Sequence, residues 1–141
     1  DAIKRGVEAA FGAGTLMGYP TVDIKATLVS VNYDELKASE TAFEAAASMG
    51  FDSAFRKATP ILLEPHMNLD VLCPAEYVGD VISGLTQRGG IVNSMESKPA
   101  HEHVKAQAPL VKMFGYTTTL RSQTQGRGTF AMEFSHYSPK A

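Results

Sequence analysis

Hydrophobic and polar positions along this chain change period several times, and the changes mark its elements. From Asp1 to Gly14 the apolar residues Ile3, Val7, Ala10 and Phe11 recur at helical spacing. With Gly12 and Gly14 near the C-terminal end, the segment predicts a helix. From Pro20 the period becomes two: Val22, Ile24, Ala26 and Leu28 alternate with Asp23, Lys25 and Thr27. That predicts one long strand buried on one face. Ser39 is placed to cap a second helix, and Thr41 with Glu44 has capping-box spacing. Phe43, Ala47, Phe51, Ala54 and Ala58 fall near one side of that helix, and Thr59-Pro60 ends it.

After a short connection, Ile61 to Pro65, the order reads strand, helix, strand, strand, helix, strand. Met67, Leu69 and Val71 alternate in the first strand, and Pro74 sits where a first-turn proline is tolerated. Val78, Val81, Ile82 and Leu85 make the stripe of the following helix, and Arg88-Gly89-Gly90 turns the chain into a strand from Ile91 to Lys98. A strand from His101 to Ala108 turns Val104, Ala106 and Ala108 inward, and a short helix is expected around Val111 to Leu120. In the last strand Phe130, Met132 and Phe134 alternate with Thr129, Ala131, Glu133 and Ser135, so one face is strongly apolar. The fold class is therefore α+β, with residues 60–141 as a ferredoxin-like split βαβ sandwich. Residues 1–59 form a less complete unit, because one strand between two helices leaves two unpaired edges, and further strands are expected upstream.

Composition adds bounds. The 141 residues are 44% hydrophobic and 20% charged, enough for one or two small cores. No apolar run approaches the roughly 18 residues of a membrane span, and Asp1-Ala2-Ile3-Lys4-Arg5 does not resemble the start of a signal peptide. A single cysteine, Cys73, forms no internal disulfide, which suits a reducing cytosol. The formal charge is −2. A free-standing RNA-binding module usually carries a basic excess, so RNA contact here has to come from local patches or from a larger parent protein.

Candidate chemistry is sparse. There is no GxxxxGK[ST] phosphate loop, so Gly126-Arg127-Gly128 cannot hold a triphosphate in that manner. His101 and His103 share a strand face and make at best an incomplete zinc site, so no metal is assigned. Ser135 and His136, adjacent in a strand, are expected to point to opposite faces and to form no triad. Cys73 reads as a small buried hydrophobe rather than a nucleophile. No catalytic residue and no cofactor site follow. Two loops carry more. Between the long strand and the second helix, Asn32 and Tyr33 are placed to hydrogen-bond to or stack on nucleotides. Before the last strand, Arg121, Gln125 and Arg127 surround two glycines in a loop that could contact phosphate.

The stretch Met113-Phe114-Gly115-Tyr116, with Leu120-Arg121-Ser122 and the run from Thr124-Gln125-Gly126-Arg127-Gly128 to Tyr137, resembles the C-terminal end of bacterial translation elongation factor G. Leu16-Met17-Gly18-Tyr19-Pro20, Ser39-Glu40, Ala46-Ala47-Ser48-Met49, Leu63-Glu64-Pro65 and Gly79-Asp80-Val81-Ile82 extend the resemblance over the whole chain. It implies a C-terminal fragment: residues 1–59 as the later part of domain four, a partial ribosomal-protein-S5-like βα unit, and residues 60–141 as domain five. The implied parent is a cytoplasmic GTPase that uses GTP and Mg2+ to move tRNA and mRNA through the ribosome, with no membrane partner. The implied fragment has no active site, cofactor or small-molecule substrate, and contacts ribosomal RNA and protein and the tRNA–mRNA complex. Its tip would be Asn32, Tyr33, Asp34 and Glu35; Arg88, Arg121, Gln125 and Arg127 would lie nearest the sarcin-ricin loop. The sequence departs from the family in two places. Asp34, followed by Glu35, stands where a histidine is usual, and only Arg88 remains of the basic run commonly found between Thr86 and Gly90. A paralogous ribosome-recycling or ribosome-protection factor, or an unrelated ferredoxin-like ligand-binding module, are the alternatives.

Overall fold

A computed structural model describes all residues from Asp1 to Ala141, which divide into two compact units, Asp1–Leu62 and Leu63–Ala141. The first contains α1 (Ala2–Ala13) and α2 (Glu40–Lys57). Gly6 is what lets these helices cross closely. A β-carbon there would collide with the carbonyl oxygen of Glu44, nearer than any real side chain approaches. Arg5 spans the same crossing and donates to Glu44 at 2.8 Å and to Glu40 at 3.2 Å. Phe11 meets Phe51 edge to face at 4.9 Å, and Phe51 stacks on Phe55. The α2 cap is as expected, with Ser39 Oγ accepting from Ala42 N at 3.1 Å. The inner face is shifted from the predicted one: Phe43, Ala47, Phe51 and Phe55 are half-buried, while Ala54 and Ala58 are exposed.

The predicted strand from Pro20 to Leu28 is not formed. The segment pairs with no strand, Asp23 interrupts the alternation with φ 57°, and Val22, Ile24 and Leu28 are exposed. A strand exists through its ladder, and this unit contributes only helices beside it.

The second unit is a four-stranded antiparallel sheet in the order β2-β3-β1-β4: β1 Leu63–Cys73, β2 Ile91–Lys98, β3 His101–Pro109 and β4 Thr129–Pro139. Helices α3 (Val78–Gln87) and α4 (Tyr116–Gln123) cover one face, giving the split βαβ arrangement. The core joins Leu69, Val71 and Cys73 of β1 and Val104, Ala106 and Ala108 of β3 to Val81, Leu85, Met113, Tyr116 and Leu120. Burial pushes the Cys73 thiol pKa up, as befits a small core residue.

Three differences from the sequence reading have local causes. β1 begins at Leu63, inside the predicted connection, and passes through Pro65; there it is flanked by β4 alone, so the missing N–H interrupts no ladder on the β3 side. The predicted helix over Val111 to Leu120 splits into a 3-10 turn, Leu110–Lys112, and α4, because Gly115 takes φ 76° between them. The apolar face of β4 is covered only at Phe130, which meets Tyr116 edge to face; Met132 and Phe134 lie 39% and 52% exposed, beyond the reach of the two short helices.

Candidate functional site

α3 and α4 run antiparallel, since Arg88 after α3 reaches Thr119 early in α4 while Gln123 at the end of α4 donates to the carbonyl of Asp80 in the first turn of α3. This puts the α4–β4 connection beside the start of α3. The connection is fixed at its base by Thr124, which is fully buried: Oγ1 donates to Leu120 O at 2.7 Å and accepts from Gly128 N at 2.8 Å. Gly128 allows this closure, because a β-carbon would meet Thr124 Oγ1 at 2.8 Å and Leu120 Cδ1 at 3.1 Å. Between those anchors Gln125 and Gly126 both adopt positive φ, 53° and 80°, and Gly126 N donates to Arg121 O at 2.8 Å. The loop therefore presents its side chains from a defined backbone.

The structure gathers Arg121, Gln125 and Arg127 on this one loop and its approach, all exposed. Arg127 Nη2 donates to Tyr77 Oη at 2.7 Å and to Glu76 Oε1, and its guanidinium lies 5.0 Å from the Tyr77 ring centroid. The Tyr77 hydroxyl and then the Glu76 carboxylate hold the guanidinium pKa above its ordinary value. Glu76 and Tyr77 come from the 3-10 turn Ala75–Tyr77 that precedes α3. Sequence inspection missed both, and no local signal marks them, since they stand about 50 positions before Arg127.

Arg88 is elsewhere. It sits at the opposite end of the ten-residue α3, roughly 15 Å away by the rise of a helix. Its guanidinium is bound within the fold, donating to the carbonyls of Lys112 and Phe114 and, at 2.9 Å, to Thr119 Oγ1, with the Tyr116 ring 5.4 Å distant. It ties down the irregular segment that Gly115 creates.

In the first unit Asn32, Tyr33, Asp34 and Glu35 form an exposed loop before α2. Tyr33 is 61% exposed and leans edge-on against Phe43, with 5.6 Å between centroids. Asp34 closes the turn: its side chain accepts from Leu36 N at 3.0 Å and its carbonyl from Lys37 N and Ala38 N.

One histidine reading changes. Ser135 and His136 do not diverge as expected, for Ser135 Oγ lies 2.9 Å from His136 Nδ1. A register shift between His66 and Met67 leaves Ser135 as an extra residue on β4, and the bulge brings neighbouring side chains to one side. No carboxylate completes a triad with them; His136 stacks instead on His66, 5.3 Å away. His103, on the open face of the sheet, meets Asp70 at 2.8 Å and stands 3.9 Å from Glu96. No cluster of three or more His, Cys, Asp or Glu side chains has metal-holding geometry.

Comparison with known proteins decides what these two units are. Residues 1–59 match the family described as "Elongation factor G, domain IV", and residues 61–141 match "Elongation factor G C-terminus". The chain belongs to the elongation factor G family. It is 52% identical over 140 residues to Elongation factor G 1 of Treponema denticola, a match spanning 99% of this chain and 20% of that relative. A crystal structure from Thermus thermophilus superposes with a TM-score of 0.86 at 40% identity, covering 99% of this chain and 21% of that one. The chain thus spans about a fifth of the length of the relatives it matches. Family membership removes the unrelated ligand-binding module as an alternative. No helix is long and apolar enough to cross a membrane.

Proposed function

We propose that this chain is the ribosome-contacting C-terminal region of a cytoplasmic translational GTPase that promotes GTP-dependent movement of tRNA and mRNA during protein synthesis. GTP and Mg2+ belong to the remainder of the full-length protein, and this region acts mechanically, without an active site or cofactor of its own. The observation that carries the reading is the match of two successive elongation factor G regions, in order, over nearly every residue. The geometry supports an RNA contact at the α4–β4 loop. A backbone pinned by Thr124 and Gly128 presents Arg121, Gln125 and Arg127 together, and guanidinium groups on a rigid loop are suited to phosphate. Asn32 and Tyr33 supply an amide and an aromatic ring at the other exposed loop, with Asp34 and Glu35 beside them. Arg88 contributes indirectly, through the segment it ties down.

The test is association of the full-length protein with purified bacterial ribosomes across a salt series. Arg127→Ala weakens binding and flattens the dependence of log affinity on log salt by about one unit, since one phosphate contact is lost. An unchanged affinity at every salt concentration would mean that the loop is a solvated turn. A second reading, a ribosome-recycling or ribosome-protection paralogue, is favoured by the acidic Asp34-Glu35 tip, and single-turnover translocation with the full-length protein separates the two.

A further inference from the structure

We propose that Glu76 is a removable counter-ion for Arg127 and Tyr77 its fixed seat, so that the guanidinium engages an RNA phosphate by exchanging one anion for another. The inference rests on the α4–β4 loop being a ribosome contact, and assigns that contact a built-in competitor. Both interactions with the 3-10 turn are made through Nη2, which donates to Glu76 and to Tyr77. Nη2 belongs to both bidentate edges of a guanidinium, Nε–Nη2 and Nη1–Nη2, so a bidentate phosphate has to take the nitrogen that Glu76 holds. A phosphate on either edge would lie against the Glu76 carboxylate, and two anions sharing one nitrogen repel. Glu76 is therefore the group that has to leave.

It is free to do so. The side chains of Arg127 and Glu76 are 53% and 60% exposed, so their attraction is screened and the pair exchanges readily. Tyr77 differs: it is half-buried where the 3-10 turn enters α3, and its ring stays under the guanidinium when the carboxylate swings away. The arrangement keeps Arg127 extended and neutralised away from the ribosome, which disfavours casual binding to other polyanions. It also keeps the guanidinium oriented, so little side-chain freedom is lost on docking.

A double-mutant cycle on the full-length protein, read as association with purified bacterial ribosomes at low and moderate salt, tests this. Glu76→Gln retains a hydrogen-bonding side chain and removes the competing charge. It tightens association roughly two- to fivefold, the scale of an exposed ion pair. In an Arg127→Ala background the same substitution has no effect, because nothing remains to be released. An equal gain in both backgrounds would reduce Glu76 to a through-space repulsion and overturn the exchange. No gain in the wild-type background, with Arg127→Ala still weakening binding, overturns the exchange while leaving the ribosome contact standing. If Arg127→Ala itself changes nothing, the contact and the exchange fall together.

Discussion

Tyr116 shows how one core side chain couples packing to pH. It is fully buried, its ring packs edge-on against Phe130 at 5.0 Å, and its hydroxyl has no hydrogen-bond partner. Burial first, then the neighbouring Cys73, pushes the phenol from 10.0 up to about 12, against a smaller opposing pull from Arg88. The folded state therefore holds the phenolic proton more tightly than the unfolded chain does. Its contribution to stability is complete below pH 10.0 and is lost as pH rises through the folded value near 12. Tyr116→Phe removes this alkaline loss and, by deleting an unsatisfied buried hydroxyl, raises unfolding free energy near neutrality by up to about 1 kcal/mol. Urea denaturation of the second unit at about pH 8 and about pH 11, on either side of the unfolded phenol's titration, checks both; parallel declines in wild type and variant would place the titration elsewhere. Single residues such as this were only partly legible beforehand. Cys73 as a core residue followed from its place in a strand, whereas the binding of Arg88 to the carbonyls of Lys112 and Phe114 depends on a turn that no local pattern announces.

At the scale of elements, periodicity predicts which residues face inward and says nothing about whether a partner is present. The four strands of the second unit follow their alternation because each finds a neighbour at the right distance: Val104, Ala106 and Ala108 pair with Val71, Leu69 and Met67 of β1. The segment Val22 to Leu28 has an equally regular pattern, and it pairs with no strand in this chain. Its amides should exchange with solvent far faster than those of Leu69 to Val71, which lie in a strand bonded on both sides. Hydrogen exchange at neutral pH measures this directly, and comparable protection in the two segments would show that the first unit acquires a strand partner in solution, for instance from a second copy. Register irregularities were equally hidden. The bulge opposite His66 and Met67 is what sets Ser135 beside His136, and an alternation count that assumes an unbroken ladder assigns them to opposite faces.

For the whole molecule, the family and the order of its two regions were legible from the motif runs, because glycines, prolines and aromatics at fixed spacing reflect turns and packing that recur along the entire chain. The arginine site was half legible: Arg121 and Arg127 stood out on a glycine-bearing loop, while Glu76 and Tyr77 join them only through the tertiary fold. Charge points the same way. A formal balance of −2 gives these 141 residues no general attraction to RNA. Nucleotide chemistry makes the sharpest separate prediction for these 141 residues. A ligand that binds only the folded state stabilises it by RT ln(1 + [L]/Kd), so GTP at a thousandfold excess over its dissociation constant adds about 4 kcal/mol and moves the unfolding midpoint by several degrees. With no phosphate-cradling loop or associated lysine in the sequence, GTP with Mg2+ leaves the midpoint of this chain where it is. Calorimetric scans with and without millimolar nucleotide decide it; a rise of several degrees specific to GTP would establish a nucleotide site in these two units and overturn their assignment as purely mechanical.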